Sequence, residues 1–271
     1  MEREYHIPGQ AVAKAMDVLL ELSRFSRPAS LAEVSRAVGL PKSTTHRLLQ
    51  CLQQKGFIRQ TEGDGLYGLG FRLLELAGTF LREVNFPKSI LDRLRVLRDG
   101  TEETSNLVIR DQGSAVFLHA CESPKTLRLT SMVGQRRPLH STAAGKIFLS
   151  CMTPEQLEQF VGKHGLPALT NKTLTSVERL RRHLRQIQKE GVSVDDEETE
   201  EGIRCVAAGI YGVGGILSAA VSISGPVGRL TMKKIREVYA PLVKQAGDDM
   251  SRALGFAASH ESAPFAVGDG L

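Results

Sequence analysis

Residues 30–54 have the sequence SLAEVSRAVGLPKSTTHRLLQCLQQ, which predicts two helices joined by a short turn. Ser30 and Glu33 have the spacing of a capping box, in which each side chain accepts a hydrogen bond from the backbone N–H of the other residue. Gly39 ends the first helix, and Pro41 suits the first turn of the second, where no N–H is needed. The second helix carries basic and hydroxyl side chains away from its leucines, so it is expected to have one buried face and one polar face.

The segments on both sides complete a small domain. Before Ser30, apolar residues recur every three or four positions and predict a helix. These residues are Ala11, Val12, Ala15, Val18, Leu19 and Leu22. After Gly56, two β-like runs at 57–60 and 66–69 flank an Asp-Gly pair, which is typical of a tight hairpin. Three helices followed by a two-stranded hairpin predict a winged helix-turn-helix over residues 1–70.

The charge of this domain indicates its partner. The chain carries a net charge of +5, and no acidic residue occurs between Glu33 and Glu62, whereas five Lys or Arg do. A helix-turn-helix places its second helix in the major groove of DNA, where such side chains contact phosphates and base edges. The residues expected to contact DNA are Lys42, Ser43, Thr44, Thr45, His46, Arg47, Lys55 and Arg59. The alternative is a protein-interaction module with a solvated basic face. The run without acidic residues coincides with the second helix of the helix-turn-helix, called here the reading helix, and with the hairpin after it, called the wing, which favours a DNA-binding function.

The rest of the chain predicts a connecting helix at 71–85 and an α+β domain at 86–257. Strands are expected at 105–110, 115–121, 127–133, 192–194, 206–211 and 216–224, and helices at 142–150, 154–161, 176–190 and 233–254. Strands, then helices, then a closing hairpin favour an antiparallel sheet. The tail at 258–271 has no core pattern and is expected to be disordered.

Composition excludes several classes of protein. The chain has 271 residues, of which 41% are hydrophobic and 24% charged, as in soluble globular proteins with room for two cores. Its four cysteines form no C-x-x-C pair, which argues against a zinc ribbon or a disulfide framework and favours the cytoplasm. The polar first ten residues predict no signal peptide. The uncharged stretch at 205–228 contains six glycines and is interpreted as a buried hairpin, not as a membrane span.

Eight short motifs, taken in order, resemble those of the IclR family of bacterial transcription regulators. In the first domain they are Ala11-x-x-Lys14-Ala15-x-x-Val18-Leu19, Ser30-Leu-Ala-Glu-Val-Ser35, Gly39-Leu-Pro-Lys-Ser-Thr44 and Arg47-Leu-Leu49. In the second they are Pro138-Leu-His-Ser-Thr-Ala-Ala-Gly-Lys146, Asp195-Asp-Glu-Glu198, Gly202-Ile-Arg-Cys-Val-Ala-Ala208 and Ala219-Ala-Val-Ser-Ile-Ser-Gly-Pro226. The resemblance implies a DNA-binding winged helix joined by a linker helix to a GAF-like effector domain. It also implies a homodimer or homotetramer that binds a palindromic operator.

The resemblance places a small-molecule site in the second domain. Family members line this pocket with an H-x-x-x-x-G-K turn, an acidic-to-Cys segment and an S-x-S strand. Carried over to this chain, the effector-binding residues are Ala143, Ala144, Asp195, Ile203, Cys205, Ser222 and Ser224. The spacing of the two serines supports this placement, because Ser222 and Ser224 lie two apart on a strand and face the same side. Hydroxyls, a thiol and the N–H groups of a helix start suit a small carboxylate; the alternative is that the serines bond neighbouring backbone.

Arg137 departs from the family pattern, because apolar residues that line the pocket occur at this place in some members. A side chain that points inward would bind a second carboxylate or an aromatic ring. A side chain that points outward would be a solvated charge, and this second interpretation is favoured.

Enzyme motifs in the chain are incomplete. Residues 140–147 are similar to a phosphate loop, but His140 and Ile147 replace its first glycine and its hydroxyl residue. Residues 221–225 lack the first glycine of a nucleophile elbow. A thiol and base formed by Cys205 and His140 is conceivable, but a packed or pocket-lining thiol is favoured.

The acidic run at 195–201 is interpreted as a solvated turn with only Asp195 near the pocket, rather than as a set of metal ligands. No catalytic residue, cofactor or metal site is therefore expected, and no membrane partner. The sequence predicts a ligand-responsive repressor or activator of catabolic genes that senses a small carboxylate. The alternative is a small-molecule enzyme fused to a DNA-binding domain.

Overall fold

The computed structural model describes residues 9–61, 63–84 and 86–256. The tail at 258–271, which the sequence predicts to be disordered, lies outside these residues. The chain divides into two compact units, residues 1–85 and 86–271. None of the helices in the described ranges is long and apolar enough to cross a membrane.

The first unit contains three helices, a hairpin and a fourth helix. In chain order they are α1 (Gln10–Leu22), α2 (Leu31–Ala37), α3 (Lys42–Gln54), β1 (Ile58–Gln60), β2 (Tyr67–Leu69) and α4 (Arg72–Val84). The capping box is present, since the Ser30 hydroxyl accepts from the Glu33 N–H at 3.3 Å and Glu33 Oε2 accepts from the Ser30 N–H at 2.8 Å. Strands β1 and β2 pair antiparallel, which confirms the predicted winged helix-turn-helix.

The core of this unit combines the apolar stripes of the helices with one side of the hairpin. Val18 of α1, Leu49 of α3 and Ile58 of β1 are almost fully buried. The hairpin is tied to the segment before α2 by Ala29 and Tyr67, whose backbone groups exchange hydrogen bonds of 2.8 and 2.7 Å. Burial of the leucine stripe decides which face of α3 stays exposed.

The second unit is built on a six-stranded antiparallel sheet with the strand order β5-β4-β3-β8-β7-β6. The strands are β3 (Thr104–Asp111), β4 (Ser114–Cys121), β5 (Arg136–Pro138), β6 (Val192–Asp196), β7 (Ile203–Tyr211) and β8 (Leu217–Pro226). The helices are α5 (Lys88–Thr101), α6 (Ala143–Ser150), α7 (Pro154–His164), α8 (Val177–Glu190), α9 (Met232–Lys234) and α10 (Ala240–Ala253), with a π-helical turn at Ile235–Tyr239. The uncharged stretch forms the β7–β8 hairpin, as predicted.

Helices cover both faces of this sheet. Ala207 of β7 belongs to an apolar cluster with the buried residues of α6, α7 and α8. Its neighbour Ala208 points to the other face, where α10 crosses the strand. Gly247 allows this close crossing, because a Cβ atom there would lie 2.7 Å from the Gly209 carbonyl oxygen.

One predicted strand is wrong. Residues 127–133 form no strand; the edge of the sheet is β5, several residues later, which pairs with β4. The apolar side chains that suggested a strand are exposed, as for Leu127 and Met132. The loop carbonyls bond side chains instead of a ladder, since Thr104 Oγ1 donates to the Leu129 oxygen at 2.7 Å and Arg229 to the Leu127 oxygen at 2.9 Å.

Candidate functional sites

The polar face of α3 carries most of the residues expected to contact DNA. Lys42, Ser43 and Arg47 are exposed, and Thr44 and His46 are partly buried. Lys55, just after α3, and Arg59, on β1, are also exposed. Seven of the eight predicted side chains therefore remain available to a partner, and the sequence adds no acidic residue between 34 and 61.

The eighth residue, Thr45, is a correction to the sequence prediction. Its side chain is fully buried, and its hydroxyl donates to the Pro41 carbonyl oxygen at 3.1 Å. Thr45 lies one turn before Leu49, on the buried stripe of α3, because positions four apart share a face of a helix. The side chain is therefore not available to contact DNA in this structure.

A cavity in the second unit lies between the sheet and the N-terminus of α6. It spans about 540 Å³ of space, part of which is open solvent. The residues that line it are Phe117, Leu129, Thr130, Ser131, Gln135, Arg137, Thr142, Ala143, Ala144, Asp195, Thr199, Glu200, Ile203, Cys205, Ser222 and Ser224. All seven residues expected to bind an effector are among them; their role in binding remains a prediction.

The start of α6 presents backbone donors to this cavity. The first N–H groups of a helix have no partner within the helix. The Thr142 hydroxyl accepts a hydrogen bond from the N–H of Gly145 at 3.0 Å. The N–H groups of Ala143 and Ala144 have no acceptor within the helix. Gly145 is required here, because a Cβ atom would lie 2.3 Å from the Leu139 carbonyl oxygen. The glycine of the H-x-x-x-x-G-K turn therefore allows the chain to fold back onto the helix start.

Three neighbouring strands supply the opposing side chains. The register pairs Asp195 of β6 with Cys205 of β7, and Cys205 with Ser224 of β8. Asn106 Nδ2 donates to the Ser224 hydroxyl at 3.3 Å. Within the described ranges the Ser222 hydroxyl has no hydrogen-bond partner, although the residue is only 3% exposed. Among the described residues no hydrogen bond joins either serine hydroxyl to neighbouring backbone, which disfavours the alternative that the serines bond backbone; their role in effector binding stays a prediction.

Asp195 holds the turn that follows β6. Its Oδ1 accepts from the N–H of Glu198 at 2.7 Å and from the N–H of Thr199 at 3.3 Å. Burial raises the pKa of the Asp195 carboxyl, and the nearby Lys146 charge opposes this effect. The carboxyl thus shapes the cavity wall that Thr199 and Glu200 continue.

A buried lysine that the sequence motifs do not predict as a partner holds this turn. Lys146 of α6 is fully buried; its Nζ forms an ion pair with Glu198 and donates to the Val194 carbonyl oxygen at 2.7 Å. Burial raises the pKa of the Glu198 carboxyl. The expected solvated turn is therefore wrong for Glu198, which is 5% exposed. A signal existed, because Lys146 is the only charged residue in α6, whose other residues are apolar or small.

Arg137 lines the cavity, contrary to the favoured interpretation of a solvated charge. Its side chain is 35% exposed, and its closest carboxylate is Glu200, with 3.9 Å between Nη2 and Oε2. Arg136, the preceding residue on β5, points to the other face, since successive side chains of a strand alternate. There it donates to Asp111 Oδ2 at 2.6 Å.

Family models match both units of the chain. The IclR helix-turn-helix domain matches residues 11–62, and the bacterial transcriptional regulator IclR C-terminal domain matches residues 79–252. The chain belongs to the IclR family of bacterial transcription regulators. The family assignment confirms the resemblance, the α+β fold and the DNA-binding regulator predicted from the sequence.

Relatives of this IclR-family chain include repressors from enteric bacteria. The acetate operon repressor of Salmonella typhimurium is 35% identical over 239 residues, which is 88% of this chain and 87% of the relative. The HTH-type transcriptional regulator KdgR of Escherichia coli is 32% identical over 246 residues, which is 91% of this chain and 93% of the relative. The crystal structure of Thermotoga maritima IclR matches with a TM-score of 0.73 at 30% identity and covers 90% of this chain and 98% of that one.

The near-miss enzyme motifs of this IclR-family chain have structural roles. Lys146, the lysine of the loop that is similar to a phosphate loop, is bonded to protein acceptors. His140 Nε2 lies 3.0 Å from the Pro167 carbonyl oxygen. Burial raises the pKa of the Cys205 thiol far above its usual range, which disfavours a thiolate. No group of three His, Cys, Asp or Glu side chains in the described part of the chain is arranged to hold a metal ion.

Proposed function

We propose that this regulator binds a palindromic operator as a homodimer or homotetramer, and that a small carboxylate in the cavity changes its affinity for that operator. The DNA is contacted by the exposed face of α3 and by Lys55 and Arg59. A two-fold symmetric dimer places two reading helices in successive major grooves, so half-sites lie about 10 base pairs apart or a multiple of that. Regulation takes place in the cytoplasm, on catabolic genes, by repression or activation.

One observation carries the effector site. The hydroxyl of Ser222 is nearly buried, lacks a partner among the described residues and lines the same cavity as the N–H groups of Ala143 and Ala144. The Ser222 hydroxyl opens onto the cavity, so it can donate to an acceptor that the N–H groups of the helix start bind at the same time. Donors at a helix start favour an anion, because the partial positive charge of the helix dipole adds to the hydrogen bonds. Phe117 and Ile203 line the same cavity and favour an organic acid over an inorganic anion.

The ligand acts by preferring one arrangement of the oligomer. Its effect on operator affinity cannot exceed its difference in affinity for the two arrangements. For an allosteric coupling of ordinary size this is about 1 to 3 kcal/mol, or about 5-fold to 150-fold in affinity.

The test begins with selection of bound sequences from random duplexes, which should return one symmetric motif. A thermal shift series with short keto acids, sugar acids and aromatic carboxylates follows. A ligand at 100 times its Kd adds about 2.7 kcal/mol of stability. Operator affinity is then measured by fluorescence anisotropy with and without each stabilising acid.

A symmetric motif together with an acid that changes operator affinity supports the proposal. If selection returns no symmetric motif, the proposal that a dimer binds a palindromic operator is wrong. If no acid in the series stabilises the protein, the proposed carboxylate site is wrong. The enzyme alternative is tested on the same samples, because a bound acid must be recovered unchanged after overnight incubation. Its consumption would favour an enzyme.

A further inference from the structure

Arg137 has hydrogen-bonding capacity that the protein does not use. Within the described ranges its guanidinium makes no hydrogen bond, and the 3.9 Å to Glu200 exceeds hydrogen-bond distance. Arg136 on the same strand is satisfied by the Asp111 carboxylate and by its backbone oxygen, at 2.6 and 2.9 Å. The two arginines thus differ in environment, and the unsatisfied one is on the cavity wall.

The charges around the cavity do not neutralise Arg137 at close range. The other charged residues on the wall are Asp195 and Glu200. Asp195 already accepts two backbone N–H groups through Oδ1 and lies close enough to Lys146 for their charges to interact. Glu200 is 56% exposed, and an exposed pair at this separation contributes little, because water screens it. A ligand anion that reaches Arg137 would displace a weak partner.

We propose that the effector is a dicarboxylic acid. One carboxylate binds the N–H groups of Ala143 and Ala144 and the Ser222 hydroxyl, and the second binds the guanidinium of Arg137. Planar guanidinium and carboxylate groups form paired hydrogen bonds, which are among the strongest in proteins. This inference rests on the proposed function, because it assumes that the first carboxylate site exists.

The test compares acids that differ only in the second carboxylate. Isothermal titration calorimetry is performed on the full chain with four matched pairs: succinate and butyrate, glutarate and valerate, 2-oxoglutarate and 2-oxovalerate, and terephthalate and benzoate. In at least one pair the diacid is expected to bind about 10-fold to 100-fold more tightly, the range for a hydrogen bond to a charged group. Arg137→Leu should remove this preference and leave the affinity for the monoacid within about 3-fold, because it changes only the second site.

Two further variants separate charge from position. Arg136→Leu is the matched control, since Arg136 faces away from the cavity, and it should keep the full preference. Glu200→Gln removes the competing carboxylate and should tighten diacid binding by about two-fold to five-fold.

Each outcome has one meaning. If monoacids bind and the preference for diacids is absent, or persists in Arg137→Leu, the dicarboxylate inference is wrong while the carboxylate site stands. The same holds if Arg137→Leu weakens benzoate as much as terephthalate, because Arg137 would then stack on the ring. If none of the acids binds the folded protein, the carboxylate site itself is wrong.

Discussion

Lys146 and Glu198 form an ion pair inside the second unit although 52 positions separate them in the chain. Lys146 is fully buried, and the Glu198 side chain is 7% exposed. The pair joins the first turns of α6 to the turn after β6, and so links two walls of the cavity. Glu198 Oε2 has no partner among the described residues, so the carboxylate depends on Lys146 for compensation.

Lys146→Met is expected to destabilise the second unit strongly. It leaves Glu198 buried without its cation, a change that costs roughly 3 to 5 kcal/mol. Calorimetry should show a fall in the unfolding temperature of this unit by at least about 6 °C. The double variant Lys146→Met with Glu198→Met should recover much of the loss, because no uncompensated charge remains. A double variant that is less stable than Lys146→Met alone would contradict this account.

Arg47→Ala is expected to weaken operator binding by about 1 to 3 kcal/mol if Arg47 contacts a base edge. Lys55→Ala should reduce affinity equally for operator and random DNA, because a phosphate contact carries no sequence information. Anisotropy titrations on both duplexes measure the difference. Equal losses for Arg47→Ala on the two duplexes would make Arg47 a phosphate contact. Thr45→Val is the buried control, which should lower stability and leave the operator affinity of the folded protein unchanged.

Ser222→Ala combined with Ser224→Ala is expected to keep operator binding and to blunt the response to the ligand. The two hydroxyls line the cavity, whereas the reading helix belongs to the other unit. Operator affinity is measured with and without the acid found by thermal shift. Ser218→Ala is the matched control, because Ser218 is exposed on the same strand and does not line the cavity. A double variant with an unaltered ligand response would move the effector site elsewhere.

His183 is expected to make the second unit less stable in acid. Burial, with a smaller effect of the Lys146 charge, lowers the pKa of His183 from 6.5 to about 4. The unfolded chain therefore binds a proton at His183 more tightly than the folded chain does. The free energy of unfolding is unaffected by this proton above pH 6.5 and decreases as the pH falls towards 4. Because His183 is only partly buried and water screens its charge, the loss is smaller than the roughly 3 kcal/mol that the whole pKa shift would give. Unfolding free energies at pH 7 and pH 4.5 should differ less in His183→Leu than in the natural chain; an identical pH dependence would contradict the lowered pKa.

The four free cysteines are expected to differ in reactivity. Cys51 on α3 is exposed, whereas burial raises the pKa of Cys121, Cys151 and Cys205. Only the thiolate reacts readily, so iodoacetamide at neutral pH should modify Cys51 first. Peptide mass spectrometry after timed quenching gives the rate at each site, and Cys51→Ser should remove the fast reaction. Modification of Cys205 as fast as that of Cys51 would indicate an activated thiol and would favour the enzyme alternative.

Seven of the sixteen residues on the cavity wall were predictable from motifs and strand periodicity, without knowledge of contacts. Ser222 and Ser224 share a face because strand side chains alternate, and this follows directly from their two-residue spacing. The direction of Arg137 was not predictable, since it depends on where β5 pairs at the edge of the sheet. The burial of Thr45 was open to prediction, because it falls four residues before Leu49 on the same helical face.

Local patterns in the sequence were enough to specify the helix-turn-helix, the β1–β2 hairpin and the β7–β8 hairpin. Their signals act between residues close in the chain, as in the capping box of Ser30 and Glu33, where local hydrogen bonds decide the start of a helix. The Lys146–Glu198 pair and the exposed loop at 127–133 become visible only in the folded domain. These features depend on strand register and on the distance between segments far apart in the chain, which burial of the whole core sets and no local pattern encodes.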